Sequence, residues 1–200
     1  MRGKLLFFLV FAMSTLFAQT DSLHTDTLKR KPLHHAFFIQ PEGYGAFVFD
    51  KASMISGAGI NWLINHKIYV GVRYNILSTP VNVVKLLPLI DKSGYVGASS
   101  QSASLNVGYI AFWNKRFSFN PEISVGWADA KFTDPSVNQR KVLNYAIVIP
   151  SLNGVWNAHK NFRVGASIGA RAVFGENYYR VKSYRVGGVF GGVFLRVGKF

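Results

Sequence analysis

Residues 155–175 read VWNAHKNFRVGASIGARAVFG. Phe162, Val164, Ala166, Ile168, Ala170, Ala172 and Phe174 share one parity; Arg163, Gly165, Ser167, Gly169 and Arg171 share the other. A period of two is a β-strand pattern. In a soluble sandwich the apolar parity would fill the core, and the other would meet water, where nothing selects glycine. Inside a narrow barrel, small residues make room for long charged ones. The stretch is therefore read with its apolar parity toward lipid and its arginines enclosed.

Outward from this stretch the pattern recurs. In 37–49, Phe37, Ile39, Phe47 and Phe49 oppose Gln40, Glu42 and Tyr44; in 53–65, Met54, Ala58, Ile60, Trp62 and Ile64 oppose Gly57, Gly59 and Asn61. Segments near 67–76, 103–113 and 117–128 alternate in the same way. A sixth, 142–156, changes parity near Pro150, which predicts a bulge there. The last runs from about Tyr184 to Phe200, and its facing stays open. That makes eight strands of bilayer-crossing length. Their connections alternate. NHK (65–67), NKR (114–116) and NAHKN (157–161) are tight; 77–102, 129–141 and 175–183 are longer, with a short exception near Asp50. The expected fold is all-β: an eight-stranded antiparallel up-and-down transmembrane β-barrel. An even strand number puts both termini on the short-turn side, in the periplasm.

The tight hairpins share a unit: an aromatic, an asparagine, a basic turn, then a strand. Trp62, Trp113 and Trp156 precede the turns, with Phe117 and Phe162 beside them. Rings at one depth predict a periplasmic aromatic girdle. On the inner parity, Glu42, Arg73, Glu122, Arg163 and Arg171 predict a lumen charge network, because opposite neighbours offset the cost of each buried charge. An eight-stranded lumen is largely filled by side chains, so the network is expected to fill space rather than line a pore.

The start of the chain, MRGKLLFFLVFAMSTLFAQT, carries Arg2 and Lys4, an apolar run and Ala18 before a cleavage point. It reads as a signal peptide over 1–18. Residues 19–35 are polar and aperiodic, a flexible periplasmic segment, and the barrel is expected over 36–200. Export through the signal peptide directs the chain to the cell outer membrane.

IQPEGYG (39–45) and FNPEISVG (119–126) each place Pro-Glu within a strand. In these segments the chain resembles the outer-membrane β-barrel domain family of Gram-negative bacteria, PorT-like members included. The C-terminal GGVFLRVGKF looks like the assembly signal of that class, with Phe190, Phe194 and Phe200 at alternate places and Arg196 and Gly198 departing from it. The resemblance implies outer-membrane residence and recognition of the C-terminal strand by the barrel assembly machinery. It implies no single activity.

The five histidines, His24, His34, His35, His66 and His159, fall in the N-terminal segment or the short turns, away from any nucleophile at the opposite end. No enzyme, metal or other cofactor is expected. The net charge of +14 is met by outer-membrane lipid and glycolipid rather than nucleic acid, for which no basic helix or aromatic platform exists. The apolar run PVNVVKLLPLI (80–90) is open to three readings, an extension of the neighbouring strands, a short interfacial helix or a docking place for an envelope partner on the 77–102 loop. Beside a lipid-modifying enzyme, which the positions of the histidines disfavour, three roles compete. One is a structural, surface-interaction or envelope-complex barrel with a charged, filled lumen. Another is a subunit of a protein secretion or gliding-type envelope assembly. The last is a soluble exported lipocalin-like ligand-binding barrel, which requires an apolar interior.

Overall fold

The computed structural model describes residues 33–48, 51–79, 81–83, 96–112, 115–134, 139–175 and 187–200. The expectations placed on the signal peptide, on residues 19–32, on the apolar run beyond residue 83 and on Trp113 lie outside them.

Among the described residues nine strands form one antiparallel sheet: β1 His35–Val48, β2 Lys51–Ile64, β3 Ile68–Leu77, β4 Val81–Val83, β5 Val96–Tyr109, β6 Phe117–Asp134, β7 Gln139–His159, β8 Phe162–Gly175 and β9 Gly188–Gly198. β9 pairs with β1 and β3 with β5, so eight strands close a barrel. β4 is a short continuation of β3 along β5, displaced by two residues. Among the described residues no helix is long and apolar enough to cross a membrane.

The stagger of the barrel follows from its registers. A row of paired residues starts at Ala36 and passes through Leu63, Tyr69, Gly108, Glu122, Ser151, Gly169 and Phe190. It returns to β1 at Ala46, ten residues beyond its start. Eight strands with that stagger are tilted by about 40°. Phe37 and Phe47 are both outward on β1, ten residues apart. At ~3.3 Å per residue and that tilt they are roughly 25 Å apart along the axis, the height of a lipid-facing band.

Burial separates the two parities. Ile60, Val72, Leu105, Ile123, Val125 and Ile168 are exposed on the outer wall, while Glu42, Asn61, Arg73, Asn106, Asn120 and Glu122 are buried inside. An apolar exterior around a polar interior inverts a soluble fold, and it removes the lipocalin-like alternative. The lumen has three layers. At the short-turn end Ala36, Phe38, Leu63, Tyr69 and Ile110 pack together with Phe200 against them. At the loop end Tyr44, Val48, Ile55, Ala128, Tyr145 and Ile147 do the same. The ionic groups lie between.

Three expectations about strand shape and connections are corrected. β7 has no bulge at Pro150. Its odd residues face inward from Tyr145 to Val155, and its register with β6 is continuous from Phe117↔Trp156 to Asp134↔Gln139. Ile147 and Ile149 belong to the loop-end apolar layer, so the inner parity turns greasy there and imitates a phase change. The one register irregularity between β7 and β8 falls at Trp156/His159, beside the turn. Residues 129–134 and 139–141 are strand rather than loop: β6 and β7 pair out to Asp134 and Gln139. The connection after β3 is likewise shorter than 77–102, since Val81–Val83 and the chain from Val96 are strand.

Proline leaves a different mark. The β7–β8 ladder omits Ile149 and Pro150, the β1–β9 ladder omits Gln40 and Pro41, and the β5–β6 ladder stops at Glu122, just before Pro121, resuming as an isolated Ala111↔Phe119 bridge. In each case the register is unchanged across the gap. Lacking an N–H, proline deletes ladder bonds without inserting a residue.

Candidate functional site

The most connected group in the barrel is a ring of polar side chains midway between Phe37 and Phe47. β1, β3 and β6 place Glu42, Arg73 and Glu122 on the inner parity at that level. Arg73 Nε lies 3.0 Å from Glu42 Oε1, and Arg73 Nη1 lies 2.7 Å from Glu122 Oε1. One guanidinium thus holds two carboxylates. Gln40 Nε2 donates to Glu42 Oε2 at 2.8 Å. Tyr69 OH donates to Glu122 Oε2 at 2.6 Å. Arg73 Nη1 also donates to Ser124 Oγ at 3.3 Å. Below them Asn106 Nδ2 donates to Asn61 Oδ1 at 2.7 Å.

A second arginine completes the ring. Arg196 of β9 has 0 % of its surface exposed. Its Nε donates to Gln40 Oε1 at 2.8 Å and its Nη2 to Tyr69 OH at 3.2 Å. With the Asn120 amide turned to satisfy its neighbours, Asn120 oxygen accepts from Arg196 Nη1 at 2.7 Å. The rings of Phe38, Tyr69 and Phe194 lie 4.9–5.1 Å from its Cζ. Two carboxylates and two guanidiniums balance, and the aromatic faces shield the second cation.

Of the five charges grouped from the sequence, three meet here: Glu42, Arg73 and Glu122. Arg163 and Arg171 do not join them. Arg163 sits at the short-turn end with its Cζ 3.7 Å from the centroid of the Phe200 ring. Arg171 lies toward the loop end, lining a recess of about 430 Å³, mouth included, with Tyr44, Val48, Ile55, Ile149 and Phe190. Arg196, which departs from the C-terminal signal, is absent from that sequence grouping because the apolar residues around it leave the facing of β9 unreadable. The structure settles that facing. Val189, Val193, Leu195 and Val197 are exposed, and Phe194 and Arg196 are buried. Phe190, Phe194 and Phe200, named for the assembly signal, are on the interior side: Phe190 packs at the loop-end layer and Phe200 stacks on Phe38 at 5.3 Å.

Of the residues assigned to the girdle, Trp62, Trp156, Phe117 and Phe162 are outward and exposed at the short-turn end. Phe117 pairs directly with Trp156, and Trp62 stacks with Phe37 at 6.2 Å. Phe47, Trp127 and Phe174 form a second outward group toward the loop end, with Trp127 72 % exposed. Spacing to a short turn could not reveal these, because their loops are long or uneven.

The short turns themselves are tied. Asn65 and His66 adopt left-handed backbone, with φ of 52° and 58°. Asn65 N donates to His34 O at 2.9 Å, and His34 N donates to Asn65 Oδ1 at 3.2 Å. His34 and His66 stack at 3.8 Å. Burial, then the nearby His34 and Arg163, hold the His66 imidazole below its ordinary value. Among the described residues no group of three or more His, Asp or Glu could hold a metal.

Glycine is required where Tyr69 crosses the lumen. A Cβ at Gly108 would run into the Tyr69 ring, whose hydroxyl serves Glu122. Gly108→Ala is expected to destabilise the barrel by about 1–3 kcal/mol, the ordinary penalty of overpacking. Urea unfolding in phospholipid vesicles reads it, and a wild-type midpoint would show that Tyr69 has room to move.

Solved structures with this architecture come from several bacteria. The N-terminal β-barrel domain of OprF from Pseudomonas aeruginosa superposes with a TM-score of 0.52 at 14 % identity, covering 82 % of this chain and 96 % of that one. A major outer membrane protein of Thermus thermophilus gives 0.55 at 11 % identity, covering 82 % and 100 %. The chain folds as an outer-membrane β-barrel. Neisserial surface protein A agrees, with a TM-score of 0.53 at 11 % identity and coverage of 85 % and 100 %. At these identities the likeness is one of fold. No family profile and no curated protein matches the sequence.

Proposed function

We propose that this chain is a closed, non-conducting and non-enzymatic outer-membrane barrel that works through its surface rather than its lumen. Its termini and short turns would face the periplasm. The supporting observation is the cross-bracing of the lumen at mid-height. Glu42, Arg73, Glu122, Tyr69, Gln40 and Arg196 bond across the bore from strands on different sides of it. Apolar layers cap them on both sides. An ion would have to break those charge-assisted bonds to pass.

The test is single-channel recording of the full chain in planar bilayers. Baseline current without steps up to ~100 mV is the expected result; regular steps of ionic conductance would refute the reading.

The tall side of the wall favours a surface role. β6 and β7 stay paired out to Asp134 and Gln139, seven residues beyond Trp127. That hairpin rises above the apolar band, where a glycolipid headgroup or an envelope partner would meet it. The connection after β3 would offer a neighbouring contact. A subunit of a secretion or gliding-type assembly is the alternative role for the same surface. Stable co-purification with a large envelope complex would support it, and a lone particle after mild extraction would count against it. Recognition by the assembly machinery through β9 would use its outward row, Val189, Val193, Leu195 and Val197.

A further inference from the structure

The repeated hairpin unit of aromatic, asparagine and basic turn has no part in the lumen. The structure shows what it builds. Around the short-turn rim Lys67, Lys115, Arg116, Lys160 and Lys199 carry the charge, with His34, His35 and His159 among them. No aspartate or glutamate lies on this rim among the described residues. The loop end differs, since there Lys131 Nζ is 3.2 Å from Asp129 Oδ2.

At one place the cations are held in position. Asn157 N donates to Arg116 O at 2.9 Å, and Asn157 Nδ2 donates to Lys115 O at 2.6 Å. This pins the Lys115–Arg116 turn to the end of β7. The Arg116 guanidinium stands 6.0 Å from the Trp156 ring centroid. His159 and Lys160 follow directly from the same strand. Trp156 therefore lies beneath two basic turns. A tryptophan at a bilayer edge sits at headgroup depth. Cations just beyond it lie at the depth of lipid phosphates. A guanidinium facing a ring keeps its in-plane N–H groups free for a phosphate. A rim of one sign is self-repelling until anions screen it.

We propose that the short-turn rim binds anionic phospholipid of the leaflet it meets, with Lys115, Arg116, Trp156 and Lys160 as its best-formed headgroup site. The aromatic would set depth and the three cations would take the phosphate by charge-assisted bonds.

Native mass spectrometry of the folded chain in detergent, titrated with phosphatidylglycerol or phosphatidylcholine, tests this. Wild type is expected to retain phosphatidylglycerol in preference to phosphatidylcholine. Each basic residue near such a surface is worth about fivefold, so K115Q/R116Q/K160Q should lose the preference by roughly tenfold or more. K51Q/K131Q, at the other end, should keep it. Heat-modifiable gel mobility verifies that both variants are folded. Equal retention of the two lipids by wild type overturns the proposal. So does an unchanged preference in the triple variant, or an equal loss in K51Q/K131Q.

Discussion

Arg73→Met is expected to lower the stability of the barrel by about 3–5 kcal/mol, because it leaves Glu42 and Glu122 buried with no cation between them. Urea unfolding in phospholipid vesicles, followed by tryptophan fluorescence, reads the loss. The decisive comparison is the charge-balanced double variant, Glu42→Gln/Arg73→Met, which leaves Glu122 and Arg196 linked through the Tyr69 hydroxyl. Removing one partner of a buried pair is costly, but removing both is often close to neutral. The double variant should therefore recover most of what the single one loses. If it is as unstable as Arg73→Met, the cost belongs to packing rather than to uncompensated charge. Arg196 remains buried in both variants and still bonds Gln40 and Tyr69, so each keeps part of its bracing.

An arginine placed on the outer wall should cost by depth. Ile168 is mid-strand on β8 and 65 % exposed, level with Glu42 once the stagger is allowed for. Met54 is outward on β2, close to the level of Phe47. Ile168→Arg is expected to cost about 2–4 kcal/mol in vesicles, and Met54→Arg about 0–1 kcal/mol. The same unfolding assay measures both. Equal costs would mean that the exposed wall is not in hydrocarbon. A soluble surface would tolerate either change within ~0.5 kcal/mol.

The sequence carried the wall more clearly than the lumen. One medium touches the whole exterior, so Ile60, Val72, Leu105 and Ile168 keep a strict apolar parity that any strand reading finds. The interior has no single chemistry. Its middle is ionic, and its ends are greasy, so Tyr145, Ile147 and Ile149 blur the alternation and suggest a bulge that does not exist. Parity also gives side without depth. Arg163 and Arg171 share a face of β8, yet eight residues of a tilted strand carry them to opposite ends of the lumen. Depth comes from the stagger, which is a property of all eight registers together. Trp62 and Trp156 were legible because a short turn beside each acts as a local ruler. Arg196 had no such marker among Phe194, Leu195 and Val197.

The three prolines open their seams at the waist of the cylinder, in the hydrocarbon, where no solvent can stand in for a missing amide. Gln40, beside the first seam, reaches across to Arg196 on the facing strand. Glu122, beside the second, is gripped from β3 by Arg73 and Tyr69. The inner ties thus act like hoops on a cask whose staves are nicked midway. Their mechanical duty is to the skin as much as to the hollow, and a barrel stripped of them would be expected to part first along those nicks.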